Sequence, residues 1–187
     1  MASHDPAPAE LELVRGFVNS WNRLRDREEL ATPGDLRAWL AGRGLLGPGE
    51  NVGAGDHRRA IEVREALRAA LMTNAGLEPD PAAGPALEAA ARRARLGVSF
   101  DEHGHARTEP LAEGVDGALG RLLAIVAAAQ ADGTWPRLKA CVADDCQWAF
   151  YDRSRNRSAV WCDMRVCGNR QKVRSYRERH LPRALEG

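Results

Sequence analysis

The residues with the clearest chemical potential are four cysteines in the C-terminal part of the chain. Cys141, Cys146, Cys162 and Cys167 are all of its cysteines, and their spacing is C-x4-C-x15-C-x4-C. Two close pairs separated in this way can bring four thiolates around one tetrahedral ion, with a hairpin between the pairs. We therefore predict one zinc ion per chain, held by these four side chains. A redox-sensitive disulfide pair and an iron site are the alternatives that the spacing leaves open.

The predicted zinc ion is structural and not catalytic. Four protein ligands complete a tetrahedral shell and leave no open position for water. The surrounding module of about 50 residues is also too small to build a large core, so a bound metal would supply much of its folding free energy. Its large apolar residues are few: Trp148, Phe150, Trp161, Val166, Val173 and Tyr176.

Positive charge is concentrated in the same part of the sequence. The whole chain has a formal charge of +1, but residues 137–187 hold 12 Lys and Arg against 6 Asp and Glu, whereas residues 1–136 hold 15 against 20. This asymmetry indicates a basic module that meets a polyanion, and a solvated basic tail is the alternative. The candidate nucleic-acid contacts are Arg153, Arg155, Arg157, Arg170, Lys172, Arg174, Arg177 and Arg179.

A hairpin and a helix are predicted to position these groups. The segment QWAFYDRSRNRSAVW is expected to form a hairpin whose turn near SRNRS carries the first three arginines. Asp163 is a plausible N-cap for a helix from about Met164 to His180. On that helix Val166, Val173 and His180 share one side, which we expect to be buried, next to a basic stripe of Arg170, Arg174 and Arg177. The layout is treble-clef-like.

The residues before Trp135 are predicted to form one mainly α-helical domain with a small β-hairpin. Apolar residues at helical spacing mark helices near residues 9–22, 56–73, 85–95 and 115–131. Another helix begins after Thr32 as N-cap, with Pro33 at its first position. The period changes in LGVSFDEHGHARTEP, which predicts the hairpin. Pro136 and the change of composition place a domain boundary there, giving domains 1–135 and 136–187.

Few residues of the N-terminal domain suggest chemistry. Asn19 and Trp21, at the end of the first predicted helix, are candidates for a small-molecule pocket; otherwise Asn19 satisfies a buried backbone group or caps the helix. His103 and His105 flank a hairpin tip and are more typical of a polar turn than of a metal site. No Gly-rich phosphate loop, G-x-S-x-G or H-E-x-x-H motif occurs, so we predict that the chain is not an enzyme.

Two parts of the sequence resemble known families. The segment CVADDCQWAFYDRSRNRSAVWCDMRVCGNRQKVRSYRERH resembles the CGNR-type zinc finger, with C-x4-C-x-W-x-F-x-D-x-S-R-N followed by W-C-x-M-x-x-C-G-N-R-x-K. The upstream segments FVNSWN and TPGDLRAWL are similar, more loosely, to the ABATE domain that accompanies this finger in bacterial proteins described as stress-induced transcription regulators. The resemblance implies a helical N-terminal domain, a four-cysteine zinc finger and DNA binding.

Together these observations predict a zinc-dependent, DNA-binding transcriptional regulator whose N-terminal domain senses an effector or forms a homodimer. A protein-interaction module of the transcription machinery and an RNA-binding protein are the alternatives. The N-terminus MASHDPAPAE has no basic and then apolar run, and no window approaches 18 consecutive apolar residues. We therefore expect a soluble cytoplasmic protein without a membrane span.

Overall fold

The computed structural model describes residues 6–180, which form six α-helices and three two-stranded antiparallel sheets. The helices are α1 (Ala9–Val18), α2 (Pro33–Ala41), α3 (Ala54–Asn74), α4 (Ala83–Arg93), α5 (Gly114–Ala131) and α6 (Asn169–His180). The strands are β1 (Trp21–Asn22), β2 (Arg27–Glu28), β3 (Leu96–Phe100), β4 (Ala106–Pro110), β5 (Leu138–Ala140) and β6 (Ala149–Tyr151). The fold is mainly α with small hairpins, and the four-cysteine cluster lies in the C-terminal part.

The start of α2 follows from local chemistry. The Thr32 hydroxyl accepts a hydrogen bond from the Asp35 amide (3.2 Å), and the Asp35 carboxylate accepts one from the Thr32 amide (2.9 Å), so α2 begins in a capping box. The predicted cap at Thr32 is confirmed. The first helix is shorter than predicted, because α1 ends at Val18 and Trp21 starts the β1–β2 hairpin.

The core of the helical body is built around α3 and α5. Helix α3 packs against α1, α2, α4 and α5, and β4 packs against α5. The predicted hairpin near residues 96–110 is confirmed, with Leu96 opposite Pro110 and Phe100 opposite Ala106. Among the described residues, only α5 is long and apolar enough to cross a membrane by length and composition, and half of it is buried in this core. It therefore has the features of a core helix.

The C-terminal hairpin differs from the sequence-based expectation. Strand β6 pairs with the upstream strand β5, with Ala140 opposite Ala149, and the first cysteine pair lies in the loop between them. The segment after SRNRS does not form a strand of this sheet, and its backbone bond to this region joins the Val142 amide, just after β5, to the Val160 carbonyl (3.0 Å). The physical reason is burial: Leu138 and Ala140 are fully buried, and β5 packs against α3.

The main core continues across the predicted domain boundary. Leu138, Ala140 and Ala149 belong to the same buried cluster as Val18 and Leu71 of the helical body. A second, smaller cluster surrounds the cysteines: Cys141, Ala143, Cys146, Phe150 and Cys167. The segments on either side of residue 135 therefore share one core, and the C-terminal segment adds a small core of its own.

Candidate zinc centre and nucleic-acid interface

Four separate backbone segments bring the cysteines together. Cys141 follows β5 and donates its amide to the Trp148 carbonyl (3.0 Å), which extends the β5–β6 ladder. Cys146 lies in a tight turn, in which its amide bonds to the Ala143 carbonyl (2.9 Å). Cys162 lies in the loop before α6. Cys167 lies in a π-helical turn, Met164–Gly168, whose N-cap is Asp163.

The predicted cap at Asp163 is confirmed. Its carboxylate accepts hydrogen bonds from the amides of Arg165 (2.7 Å) and Val166 (3.2 Å). Within the turn, the Cys167 amide donates a hydrogen bond to the Asp163 carbonyl (2.8 Å). Asp163 therefore starts the helical segment and fixes the last metal ligand.

The four sulfur atoms fit a tetrahedral zinc ion. All four Sγ atoms lie within 4.8 Å of one another, with Cys146 to Cys162 at 3.6 Å and Cys162 to Cys167 at 3.7 Å. A tetrahedron with Zn–S bonds of about 2.3 Å has sulfur–sulfur edges of about 3.8 Å. The cysteines are free thiols and three of the four are buried. The donor set therefore forms one closed, structural zinc site, and the predicted ligands converge.

The four thiols do not ionise together in the absence of a cation. Hydrogen bonds from Cys146 and Cys162 lower the pKa of Cys141 to about 2. Its thiolate in turn raises the pKa of Cys146 to about 12 and raises that of Cys162 further. In this cluster the negative charge of one thiolate disfavours ionisation of the neighbouring thiols. A bound divalent cation offsets that repulsion and allows the remaining thiols to ionise.

Arg170 contacts the metal centre from outside. Its guanidinium forms two hydrogen bonds to the Asp145 carboxylate (2.9 and 3.2 Å) and lies 3.5 Å from the Cys167 sulfur. Burial lowers the pKa of Arg170, but the Cys167 and Asp145 contacts outweigh burial and raise it. Arg170 was predicted as a nucleic-acid contact, and the structure places it beside a zinc ligand.

A buried ion pair shapes the arginine-bearing loop after β6. Lys139 and Asp152 are both almost fully buried, and the Lys139 ammonium donates to the Asp152 carboxylate (2.8 Å). It also donates to the carbonyls of Arg157 (2.6 Å) and Ala159 (3.1 Å). Asp152 accepts further bonds from the amides of Ser154 (2.9 Å) and Ala159 (3.0 Å). The loop is therefore held at both ends by one pair of side chains.

The predicted basic contacts differ in their surroundings. Arg155 and Arg157 are exposed on the loop, whereas Arg153 is exposed but donates to the Pro6 carbonyl (2.6 Å). Lys172, Arg174 and Arg177 are exposed on α6. The Arg179 side chain lies outside the described residues.

The expected buried side of α6 is in fact exposed. Val166 has 44% and Val173 50% of their surface exposed, and Tyr176 has 58%. The prediction that Val166 and Val173 are buried was wrong, because the principal contacts of α6 within the described chain are with the π-helical turn before it. His180, predicted on the same side, is exposed as well, and its ring stacks on Tyr176 at 4.1 Å between centroids.

Asn19 connects the helical body to the finger. Its amide nitrogen donates to the Ala149 carbonyl (2.9 Å), and its amide oxygen accepts from the Ala149 amide (2.7 Å). Asn19 is 8% exposed and Ala149 is fully buried. The side chain thus satisfies a buried backbone pair, which was the alternative to a pocket role. Trp21 is half-buried, and the Arg23 guanidinium lies 4.5 Å from its ring centroid.

Two buried arginines on α3 were not predicted. Arg68 donates to the carbonyls of Val18 (2.8 Å) and Gln147 (3.0 Å), so it joins the end of α1 to the cysteine turn. Arg64 donates to both carboxylate oxygens of Glu28 (2.7 Å each). The available signal was spacing, since both residues follow buried Ala60 at steps of four on the same helical flank.

The fold and site define a class: a helical domain joined to a four-cysteine zinc finger. The family model for the ABATE domain, described as "Putative stress-induced transcription regulator", matches residues 11–133. The model for the CGNR zinc finger matches residues 137–180. The chain therefore belongs to the ABATE family and carries a C-terminal CGNR zinc finger, as the sequence motifs predicted. A search of curated proteins finds no significant match.

Proposed function

We propose that the protein is a non-catalytic transcription regulator that binds DNA through its zinc finger. The observation that carries this proposal is the exposed basic surface of α6, formed by Lys172, Arg174 and Arg177 next to the zinc centre. Arginine suits this task because its planar fork contacts phosphate oxygens in pairs. Family membership supports a role in regulation, and DNA is the polyanion that a regulator of transcription meets.

The zinc centre and the Lys139–Asp152 pair support the proposal by fixing the basic groups in place. Cys167 anchors the turn from which α6 starts, so metal binding orders the base of the helix. Lys139 and Asp152 hold the loop that carries Arg155 and Arg157. Fixed cations lose less conformational freedom on binding than mobile ones, which favours contact with the regular phosphate backbone.

Salt dependence of DNA binding tests the proposal. Zinc-loaded protein is titrated into a labelled random-sequence duplex by fluorescence anisotropy, between about 50 and 200 mM salt. We expect micromolar or tighter affinity at low salt and a steep linear fall of log K with log salt, with a slope of about −0.9 per phosphate contact. Chelation of zinc is expected to abolish binding. Absence of binding at low salt would refute the proposal and favour docking on an acidic protein.

A matched pair of double variants tests the assignment of the basic stripe. Arg174→Ala with Arg177→Ala is expected to weaken binding and to flatten the slope by about 1.8, because two phosphate contacts are lost. Arg93→Ala with Arg107→Ala changes the net charge equally at exposed sites of the helical body and is expected to leave the slope unchanged. Equal effects of the two double variants would show that only overall charge matters.

A further inference from the structure

Helix α6 carries an exposed, partly apolar strip as well as basic residues. Val173 and Tyr176 are 50% and 58% exposed, and Asn169, at the first position of the helix, is also exposed. At 100° per residue, Asn169, Val173, Tyr176 and His180 fall within about 60° of one another. One side of α6 therefore presents a narrow strip of apolar and amide groups to solvent.

Cations lie on both sides of this strip. Arg177 and Arg174 follow it on one flank, and Lys172 lies on the other, about 60° beyond Asn169. All three side chains are exposed. A partner that covers the strip must therefore have an apolar or hydrogen-bonding surface with negative charge on both sides of it.

A second copy of the chain does not meet this requirement. If two α6 helices packed along the strip, Arg177 and Lys172 would occupy the flanking positions of both helices. Like charges at such positions destabilise a helix pair. The charge pattern thus disfavours a homodimer through α6.

The DNA major groove has the surface that such a partner requires, with negative charge on both sides. The groove is about 12 Å wide and admits one α-helix, with phosphates along both edges. Its floor exposes the C5-methyl group of thymine and the N6 and N7 atoms of adenine, which apolar side chains and asparagine contact respectively. We propose that α6 lies in the major groove and recognises A·T base pairs, with Val173 against a thymine methyl and Asn169 against adenine.

This inference rests on the proposed function and adds sequence specificity to it. The test first enriches sites from a random duplex library with the zinc-loaded full-length protein. The dissociation constant is then measured for the enriched site and for the same site with uracil in place of thymine, which removes only methyl groups from the major groove.

We expect uracil to weaken binding about fourfold for each methyl group contacted, with the salt slope unchanged. Val173→Ala is expected to bind the two duplexes almost equally. Val98→Ala is the control, because Val98 is an exposed valine on β3 (65% exposed), and it is expected to keep the wild-type discrimination. Both variants change exposed residues, and their zinc content confirms the fold.

The outcomes separate this inference from the proposed function. Salt-dependent binding without an enriched site would overturn major-groove recognition and leave DNA binding intact. An enriched site at which uracil and Val173→Ala have no effect would also overturn it. Absence of any DNA binding would overturn both.

Discussion

Replacement of Asn19 by alanine is expected to destabilise the folded protein by about 3 kcal/mol. The Asn19 amide supplies both hydrogen-bond partners of Ala149, at 2.9 and 2.7 Å, and Ala149 is fully buried. Leaving a buried donor or acceptor without a partner costs about 1–3 kcal/mol, and Asn19→Ala leaves one of each. Removal of the polar side chain offsets part of this sum, because it no longer has to be desolvated.

The assay is urea unfolding of the zinc-loaded protein, followed by circular dichroism and tryptophan fluorescence. Asn19→Asp separates hydrogen bonding from volume, because it keeps the size and the acceptor oxygen but places a carboxylate oxygen against the Ala149 carbonyl. We expect it to be destabilised at least as much as Asn19→Ala at pH 7, and less near pH 4, where a protonated carboxyl can donate to that carbonyl.

Asn51→Ala is the matched control, since Asn51 is exposed, and it is expected to change the free energy of unfolding by less than about 0.5 kcal/mol. If Asn19→Ala also stayed within that range, the contact between Asn19 and Ala149 would not be a significant link between body and finger. The reasoning about buried backbone partners would then be refuted.

Three further predictions concern the metal and the buried charges. Chelation of zinc is expected to lower the melting temperature of the helical body as well as the finger, measured by circular dichroism at 222 nm, because β5 packs on α3; an unchanged melting temperature would contradict this. Lys139→Met is expected to cost about 3 kcal/mol at pH 7, because it leaves the Asp152 carboxylate buried without its cation. Burial raises the pKa of Asp152, but the hydrogen bond and charge of Lys139 outweigh burial and lower it, so this stabilisation is present above about pH 4 and is lost as the pH falls through the folded-state pKa. Stability curves of both proteins from pH 3 to pH 8 should therefore converge at the acid end. Arg64→Lys is expected to cost about 1–2 kcal/mol in urea unfolding, because lysine cannot make the paired contacts with Glu28; equal stability would show that the charge alone suffices.

The zinc centre was predictable from sequence because its chemistry is local. Four cysteines in 27 residues leave few ways to arrange the thiols, and their spacing favours one shared ion over a disulfide pair. The caps at Thr32 and Asp163 were predictable for the same reason, since a capping side chain bonds to amides two or three residues away.

The features that sequence did not predict depend on contacts between distant segments. The contact between Asn19 and Ala149 spans 130 residues, and no local pattern indicates which backbone group a buried amide will meet. The pairing of β5 with β6 likewise depends on the burial of Leu138 against α3. The exposed side of α6 was predicted to be buried because helical periodicity shows which residues share a side, not what covers that side.

The link between body and finger also limits how strongly one can influence the other. Asn19 contacts the backbone of Ala149, and Arg68 contacts that of Gln147; both residues closely follow Cys146 in the chain. A ligand that moved the end of α1 would therefore act on the zinc centre through these bonds. Linkage requires that zinc binding then alter the affinity for that ligand by the same factor. Coupling through Asn19 cannot exceed the free energy of its contact with Ala149, about 3 kcal/mol, which corresponds to at most about a 150-fold change in affinity. A coupling of that size is large enough for any ligand of the helical body to alter zinc binding without unfolding the finger.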